Sequence, residues 1–151
     1  MIVRKATLND FDAVMDLENS CFKLPYHERQ MQYEFNENPI NTILVACVKD
    51  KVVGFINFMT TFNSATITQI AVNNNYRKQG IATSLLNEME NTFPKSGEDV
   101  VEFVTLEVRK SNQPAINLYK KNGYEHVVYK KNYYPDGEDA AYMVKRINTC
   151  Q

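Results

Sequence analysis

A polar turn between a predicted strand and a predicted helix is the segment of the sequence with the clearest chemistry. The strand ends at Ile70-Ala71-Val72, and Asn73-Asn74-Asn75-Tyr76 leads into Arg77-Lys78-Gln79-Gly80-Ile81-Ala82-Thr83, where an amphipathic helix begins. The first turn of a helix leaves backbone N–H groups without helical partners at the positive end of the helix dipole, so it can bind a diphosphate. An ordinary turn with solvated Arg77 and Lys78 is the alternative that the residues alone leave open. The chain has neither GxGxxG nor GxxxxGK(S/T), which excludes the Rossmann and P-loop forms of nucleotide binding.

Two further residues have side chains suited to proton transfer. Glu107 alternates with Leu106 and Val108 along a predicted strand, so its carboxylate lies on the opposite face from theirs. A carboxylate in that place could act as a general base, directly or through a water molecule. Tyr119 lies on a predicted helix, and its phenol can donate or accept a hydrogen bond. A solvated strand face for Glu107 and a core position for Tyr119 are the structural alternatives.

The hydrophobic pattern predicts the elements that position these residues, because period-two alternation indicates strands and helical spacing indicates helices. The predicted strands are Ile2 to Ala6, Thr42 to Val48, Val52 to Thr60, Ala65 to Val72, Val100 to Val108, Tyr124 to Lys130 and Ala140 to Lys145. The predicted helices are one after a Thr7/Asp10 capping signal, one from His27 to Glu37, one from Ile81 to Phe93 and one from Pro114 to Asn122. This order predicts an α/β fold with a mixed sheet flanked by four helices. Crossovers through the third and fourth helices would make part of the sheet parallel.

Composition limits the class of protein. The 151 residues have a formal net charge of -1 with both signs interspersed, so we expect one domain, 1–151, without a nucleic-acid or membrane partner. No apolar stretch is long enough for a membrane span and the start lacks a signal-peptide core, which predicts a cytoplasmic protein. Cys21, Cys47 and Cys150 have no zinc-site spacing with His27 or His126, so no metal is expected. Cys47, in the apolar run LVACV, is expected to be buried.

The turn and several downstream segments together resemble the GNAT superfamily of acetyltransferases. Arg77-Lys78-Gln79-Gly80-Ile81-Ala82 matches the Q/R-x-x-G-x-G/A signature of that family, whose loop amides hold the pyrophosphate of coenzyme A. Stretches similar to those of RimI-type enzymes follow in order: Leu106 to Asn112, Ala115 to Tyr119, Asn122 to Tyr124 and Asn132 to Pro135. The resemblance covers residues 65–143.

The resemblance implies a GNAT fold, acetyl-CoA as cosubstrate and acetyl transfer to the α-amino group of a protein N-terminus. The implied RimI-type acceptor is the N-terminal alanine of ribosomal protein S18. The resemblance also implies that Glu107 is the general base and that Tyr119 protonates the sulfur of coenzyme A. The residues that it implies for binding coenzyme A are Ile70, Ala71, Val72, Arg77, Lys78, Gln79, Gly80, Ile81, Ala82, Thr83 and Asn112, and those for binding the acceptor are Tyr26, Tyr133 and Tyr134.

Other interpretations of the same residues stay open at this point. Asn112 could be a simple helix N-cap, paired tyrosines are often rim packing, and the pair Lys130-Lys131 favours a solvated face. A GNAT enzyme could instead acetylate a small-molecule amine such as a polyamine or an amino sugar. Such a cation calls for an acidic pocket, which the residues around Tyr26 and Tyr133 do not suggest. A non-catalytic sensor or assembly subunit that binds coenzyme A is a third hypothesis.

Overall fold

The computed structural model describes residues 1–147, so Cys150 lies outside the described residues. Within that range the chain forms seven strands and four α-helices. The strands are β1 (Ile2–Lys5), β2 (Asn41–Val48), β3 (Lys51–Thr61), β4 (Ser64–Val72), β5 (Phe103–Arg109), β6 (Glu125–Lys130) and β7 (Ala140–Arg146). The helices are α1 (Phe11–Cys21), α2 (Glu28–Asn36), α3 (Ile81–Asn91) and α4 (Gln113–Lys121). The sequence therefore predicted every one of these elements in type and order.

The seven strands have the order β1-β2-β3-β4-β5-β7-β6. β4 and β5 pair in parallel from Ser64 opposite Phe103 to Ile67 opposite Leu106, as the predicted crossover through α3 requires. The pairs β1 with β2, β2 with β3, β5 with β7, and β6 with β7 are antiparallel. The crossover through α4 was also predicted to give a parallel pair, and this is wrong. β7 lies between β5 and β6 and forms antiparallel hydrogen bonds with each of them.

Contacts divide the chain into two compact units. The first unit comprises Met1–Met59 and Gln69–Phe93, and the second comprises Thr60–Thr68 and the chain from Pro94 onward. In the first unit a core cluster fills the space between α1, α2 and the sheet, and it includes Val14, Leu17, Met31, Val45, Cys47, Phe55 and Ala71. Cys47 is buried in this cluster, as its apolar neighbours predicted.

The capping signal before α1 forms in the first unit. Oδ2 of Asp10 accepts a hydrogen bond from the backbone N–H of Thr7 at 2.8 Å. The same carboxylate accepts two bonds from the guanidinium of Arg4, at 2.7 and 3.0 Å. A charged carboxylate at the N-terminal end of a helix also interacts favourably with the helix dipole. Asp10 therefore fixes the direction in which the chain leaves β1.

In the second unit β5 alternates strictly. Val104, Leu106 and Val108 are buried, whereas the residues between them, Glu107 included, are partly exposed. The alternation predicted for Glu107 is confirmed. α4 ends at Lys121 with Asn122 as its C-cap, and Gly123 follows with φ of 97°, a left-handed conformation that suits a glycine after a helix. Among residues 1–147, none of the helices has the length and apolar character that crossing a bilayer would require.

Candidate active site

The predicted phosphate-binding turn has a defined backbone in the first unit. A single turn of 3₁₀ helix, Asn74–Tyr76, follows β4, and the side chain of Asn73 caps it by accepting the N–H of Asn75 at 2.9 Å. Nε of Arg77 donates to the carbonyl oxygen of Val72 at 3.1 Å. Arg77 is therefore bound to the end of β4, and its guanidinium links the two ends of the loop of residues 72–77.

Two left-handed residues then bring the chain into α3. Lys78 has φ of 63° and Gly80 has φ of 81°. Gly80 is the N-cap, and the first helical bond runs from the N–H of Ser84 to its carbonyl oxygen at 3.0 Å. A methyl group at Gly80 would meet no protein atom within 4 Å. The glycine is therefore required here by its φ angle, since residues with a Cβ rarely adopt it. Gly80 makes no side-chain cap hydrogen bond, and the first turn of such a helix can offer its backbone N–H groups to an anion.

The strand residues that lead into this turn are largely buried. Ala71 is 5% exposed and packs in the core cluster, and Val72 is 9% exposed. Gly54 on β3 approaches this strand so closely that a methyl group there would lie 2.9 Å from the carbonyl oxygen of Ala71. Gly54 has no signal in the sequence, because the neighbours of a lone glycine inside a strand are known only in three dimensions. Tyr26, in the loop between α1 and α2, is half-buried and packs against the same core.

Glu107 projects from β5 in the second unit, and its side chain is 19% exposed. Nζ of Lys130, on β6, donates to its Oε2 at 2.6 Å. This hydrogen bond raises the pKa of Lys130 above its ordinary value. The ammonium also lies over the ring of Tyr142, 4.4 Å from the centroid, and over that of Tyr133, 5.6 Å away. A solvated face was expected for Lys130, and its side chain is 40% exposed. The ion pair with Glu107 was not predicted, and it forms because β7 brings β6 within reach of β5.

Tyr133 and Tyr134 follow β6 and adjoin the same carboxylate. Their rings meet edge to face with centroids 5.0 Å apart. Burial raises the pKa of Tyr133, and the neighbouring charge of Glu107 raises it further. Burial raises the pKa of Tyr134 to about 12, against a lowering by Arg109. Both phenols therefore keep their protons near neutral pH and can act as hydrogen-bond donors.

Tyr119, on α4, is 5% exposed, with its ring edge to face with that of Tyr124 at 5.7 Å. Burial raises its pKa. Asn112 caps α4, because its Oδ1 accepts the N–H of Ala115 at 3.3 Å. The N-cap interpretation of Asn112 is therefore confirmed, and its predicted contact with coenzyme A stays a prediction.

An ionic network holds the loop that carries the paired tyrosines. Arg109, at the end of β5, donates to Asp136 at 2.8 Å and to Glu138 at 2.9 Å. Its guanidinium also lies 4.2 Å from the centre of the Tyr134 ring. Hydrogen bonds from Ser111 and from Arg109 lower the pKa of Glu138 to about 2. Arg109 and Glu138 were not predicted as site residues, although Arg109 lies two residues from Glu107 and therefore on the same face of β5, which is a signal visible in the sequence.

The site residues thus fall into two groups. The first unit contains the strand and loop residues with Tyr26: Ile70, Ala71, Val72, Arg77, Lys78, Gln79, Gly80, Ile81, Ala82 and Thr83. The second unit contains Glu107, Asn112, Tyr119, Tyr133 and Tyr134, and among these Tyr133 lies against Glu107 and against the ring of Tyr134. Among the residues that the structure describes, no three His, Cys, Asp or Glu side chains are grouped as metal ligands.

Several known proteins are similar to this chain in sequence and in fold. Residues 11–124 match the Acetyltransferase (GNAT) family. A Bacillus subtilis (strain 168) protein named putative ribosomal protein bS18-alanine N-acetyltransferase is 35% identical over 147 residues, which cover 97% of this chain and 95% of the relative. An N-alpha-acetyltransferase of Sulfurisphaera tokodaii is 35% identical over 160 residues, covering 93% of this chain and 90% of the relative. The crystal structure of the ribosomal-protein-S18-alanine N-acetyltransferase from Escherichia coli superposes with a TM-score of 0.87 at 27% identity, covering 99% of this chain and 96% of that one.

The fold and the family match together define the class of protein. The chain belongs to the GNAT acetyltransferase family, and it is an N-acetyltransferase. The resemblance stated from the sequence is confirmed, and so is the predicted fold class. The names of the relatives differ: one names the alanine of ribosomal protein bS18 as the acceptor, and the other is only N-alpha-acetyltransferase.

Proposed function

We propose that this N-acetyltransferase transfers the acetyl group of acetyl-CoA to the α-amino group of a protein N-terminus, with the N-terminal alanine of ribosomal protein S18 as the acceptor. Two named relatives support an α-amino acceptor. The chemistry of amines also supports an α-amino acceptor. An α-amino group has a reference pKa of about 8, against about 10.4 for a lysine side chain, so it is more easily deprotonated. A cytoplasmic location is part of the proposal.

The observation that carries the proposal is the ammonium already bound at Glu107. Nζ of Lys130 lies 2.6 Å from Oε2 of that carboxylate, over two tyrosine rings. This contact shows that an ammonium can bind at this carboxylate beside tyrosine rings, and we propose that the protonated α-amino group of an acceptor binds to the same carboxylate. The other carboxylate oxygen, Oε1, is the one that we assign to the acceptor.

The loop before α3 fits a diphosphate. Its left-handed Gly80 carries no side chain, the space beside it is open, and the helix that follows directs its dipole at the loop. We assign coenzyme A binding to this loop, residues 77–83, to the preceding strand residues 70–72 and to Asn112. When bound, acetyl-CoA supplies a thioester carbonyl that a neutral amine attacks.

The chain's own residues then move the protons. Glu107 takes a proton from the acceptor ammonium, directly or through a water molecule, so that the amine becomes nucleophilic. Tyr119 gives its proton to the thiolate that departs. Burial raises the pKa of Tyr119, so the phenol holds this proton near neutral pH but releases it less readily than a free tyrosine would. Tyr26, Tyr133 and Tyr134 are proposed to contact the first residues of the acceptor.

A thiol-release assay tests the proposal. Purified protein is mixed with acetyl-CoA and a short peptide that begins with the N-terminal residues of S18, next to a polyamine and an amino sugar. We expect turnover with the alanine peptide and loss of nearly all of it in the double variant Glu107→Gln, Tyr119→Phe. The double variant Glu98→Gln, Tyr129→Phe makes the same chemical changes at exposed positions and should retain full activity.

Each contrary result has a definite meaning. Retained turnover in the first double variant would remove Glu107 and Tyr119 from the mechanism. Preference for the polyamine or the amino sugar would replace the protein N-terminus with a small amine. Tight binding of acetyl-CoA without turnover on any acceptor, whole S18 included, would reject the proposed acceptor.

A further inference from the structure

Glu18 is a carboxylate at the centre of the first unit that the chemistry above does not use. It lies on α1 among apolar residues and is 0% exposed. Burying a charge is costly unless it is hydrogen-bonded. Burial raises the pKa of Glu18, and the hydrogen bonds from Tyr26 and Gln69 oppose that rise. A residue with such a cost requires an explanation beyond packing, since leucine would fill the same helical position.

The hydrogen bonds of Glu18 reach two other parts of the unit. Oε2 accepts the backbone N–H of Tyr26, in the loop between α1 and α2, at 2.8 Å. Nε2 of Gln69, on β4, donates to Oε1 at 2.8 Å and to Oε2 at 2.6 Å. Glu18 thus joins a loop that precedes α2 to a strand that lies 51 residues further along the chain.

Gln69 is itself held in place. It is 7% exposed, at a position of β4 where the alternation calls for an apolar side chain. Its Oε1 accepts a hydrogen bond from Nδ2 of Asn57, on β3, at 3.3 Å, and Asn57 is 0% exposed. The amides therefore all donate in one direction, toward the carboxylate of Glu18. Such an arrangement stabilises a negative charge at the end of the chain of hydrogen bonds.

We propose that Glu18 is a positioning residue, which ties the loop of residues 22–27 to β4 and thereby fixes Tyr26 for acceptor binding. This inference rests on the proposed function, in which Tyr26 contacts the acceptor. In the same proposal Ile70, the neighbour of Gln69 on β4, is the first of the strand residues assigned to coenzyme A. A carboxylate serves this purpose because its two oxygens accept from both partners at once. Leucine would remove both acceptors, whereas glutamine would keep one oxygen for Tyr26.

Amide hydrogen exchange tests the tether without reference to activity. The variants are Glu18→Leu and Glu18→Gln, with Asp16→Asn as the control, because Asp16 is an exposed carboxylate two residues away on the same helix. We expect the amide of Tyr26 to exchange about tenfold faster in Glu18→Leu than in the unaltered protein, to be mostly protected again in Glu18→Gln, and to be unchanged in the control. Equal exchange in all four proteins would overturn the tether.

Steady-state kinetics then test whether the tether positions Tyr26 for acceptor binding. In Glu18→Leu we expect the KM for the acceptor peptide to rise about tenfold, with kcat and the KM for acetyl-CoA within about twofold of the original values. Faster exchange at Tyr26 with an unchanged acceptor KM would overturn the positioning role. Should Glu18→Leu fail to fold by circular dichroism, Gln69→Met replaces it, since this variant keeps the carboxylate and removes its link to β4. Absence of turnover in the unaltered protein would reject the proposed function, while the exchange result would still decide the tether.

Discussion

The ammonium of Lys130 and the carboxylate of Glu107 lie 2.6 Å apart, although 23 residues separate them in the chain. The contact arises because β7 pairs with β5 on one side and with β6 on the other. Tyr142 of β7, directly opposite Glu107, supplies the ring over which the ammonium lies. The proposed base is thus oriented by a neighbouring cation, and several consequences can be measured.

Replacing Lys130 by methionine should lower kcat/KM for the acceptor peptide about tenfold, because the carboxylate loses the partner that orients it, and small misplacements of catalytic groups are costly. The measurement is steady-state acetylation of the alanine peptide. Lys131→Met removes an ammonium from the adjacent, exposed position and should have no effect. Equal activity in the two variants would show that the ion pair plays no part in the reaction.

Replacing Gly80 by alanine should weaken acetyl-CoA binding about tenfold, because φ of 81° is unfavourable for alanine and the loop must shift to relieve it. Gly97→Ala is the matched control, since Gly97 also has a positive φ and also has no protein atom near its missing methyl group. Both variants should lose about 1 kcal/mol of stability. Calorimetry should find weaker binding of acetyl-CoA only in Gly80→Ala, and a loss shared by both would contradict the assignment of the loop.

Asp10→Asn should lower the free energy of unfolding by about 1–2 kcal/mol at pH 7, because the ion pair with Arg4 is lost. The hydrogen bond from Arg4 lowers the pKa of Asp10, so the folded pKa lies below the unfolded one. The stability that Asp10 contributes is therefore present above its unfolded pKa and is lost as the pH falls through the folded pKa. Urea titrations at several pH values should show the two proteins converging in acid, whereas Asp16→Asn should follow the unaltered protein throughout.

Glu138→Gln should raise the KM for the acceptor peptide several-fold and leave acetyl-CoA binding unchanged, because the loop with Tyr133 and Tyr134 loses its charged link to Arg109. Steady-state kinetics with each substrate varied in turn would measure this. Glu125→Gln, at an exposed position of β6, is the control for the lost charge. A rise in the KM for acetyl-CoA alone would refute the assignment of this loop to the acceptor.

The sequence by itself determined the element order, the mixed sheet and the family. Those inferences follow from local regularities: alternation along β5 places Glu107 away from Leu106 and Val108, and a glycine after a polar turn opens α3. Each depends on the φ and ψ preferences and burial of residues adjacent in the chain, so the pattern is visible without coordinates.

Only the tertiary structure decided which polar groups meet. Lys130 has a 40% exposed side chain and also pairs with Glu107, which no pattern in the sequence predicted, and Glu18 pairs with a residue 51 positions away. The insertion of β7 between β5 and β6 likewise had no local signal. Hydrogen bonds and ion pairs act over about 3 Å in space. Periodicity reports the face on which a side chain lies, but its partner depends on which distant strand packs beside it.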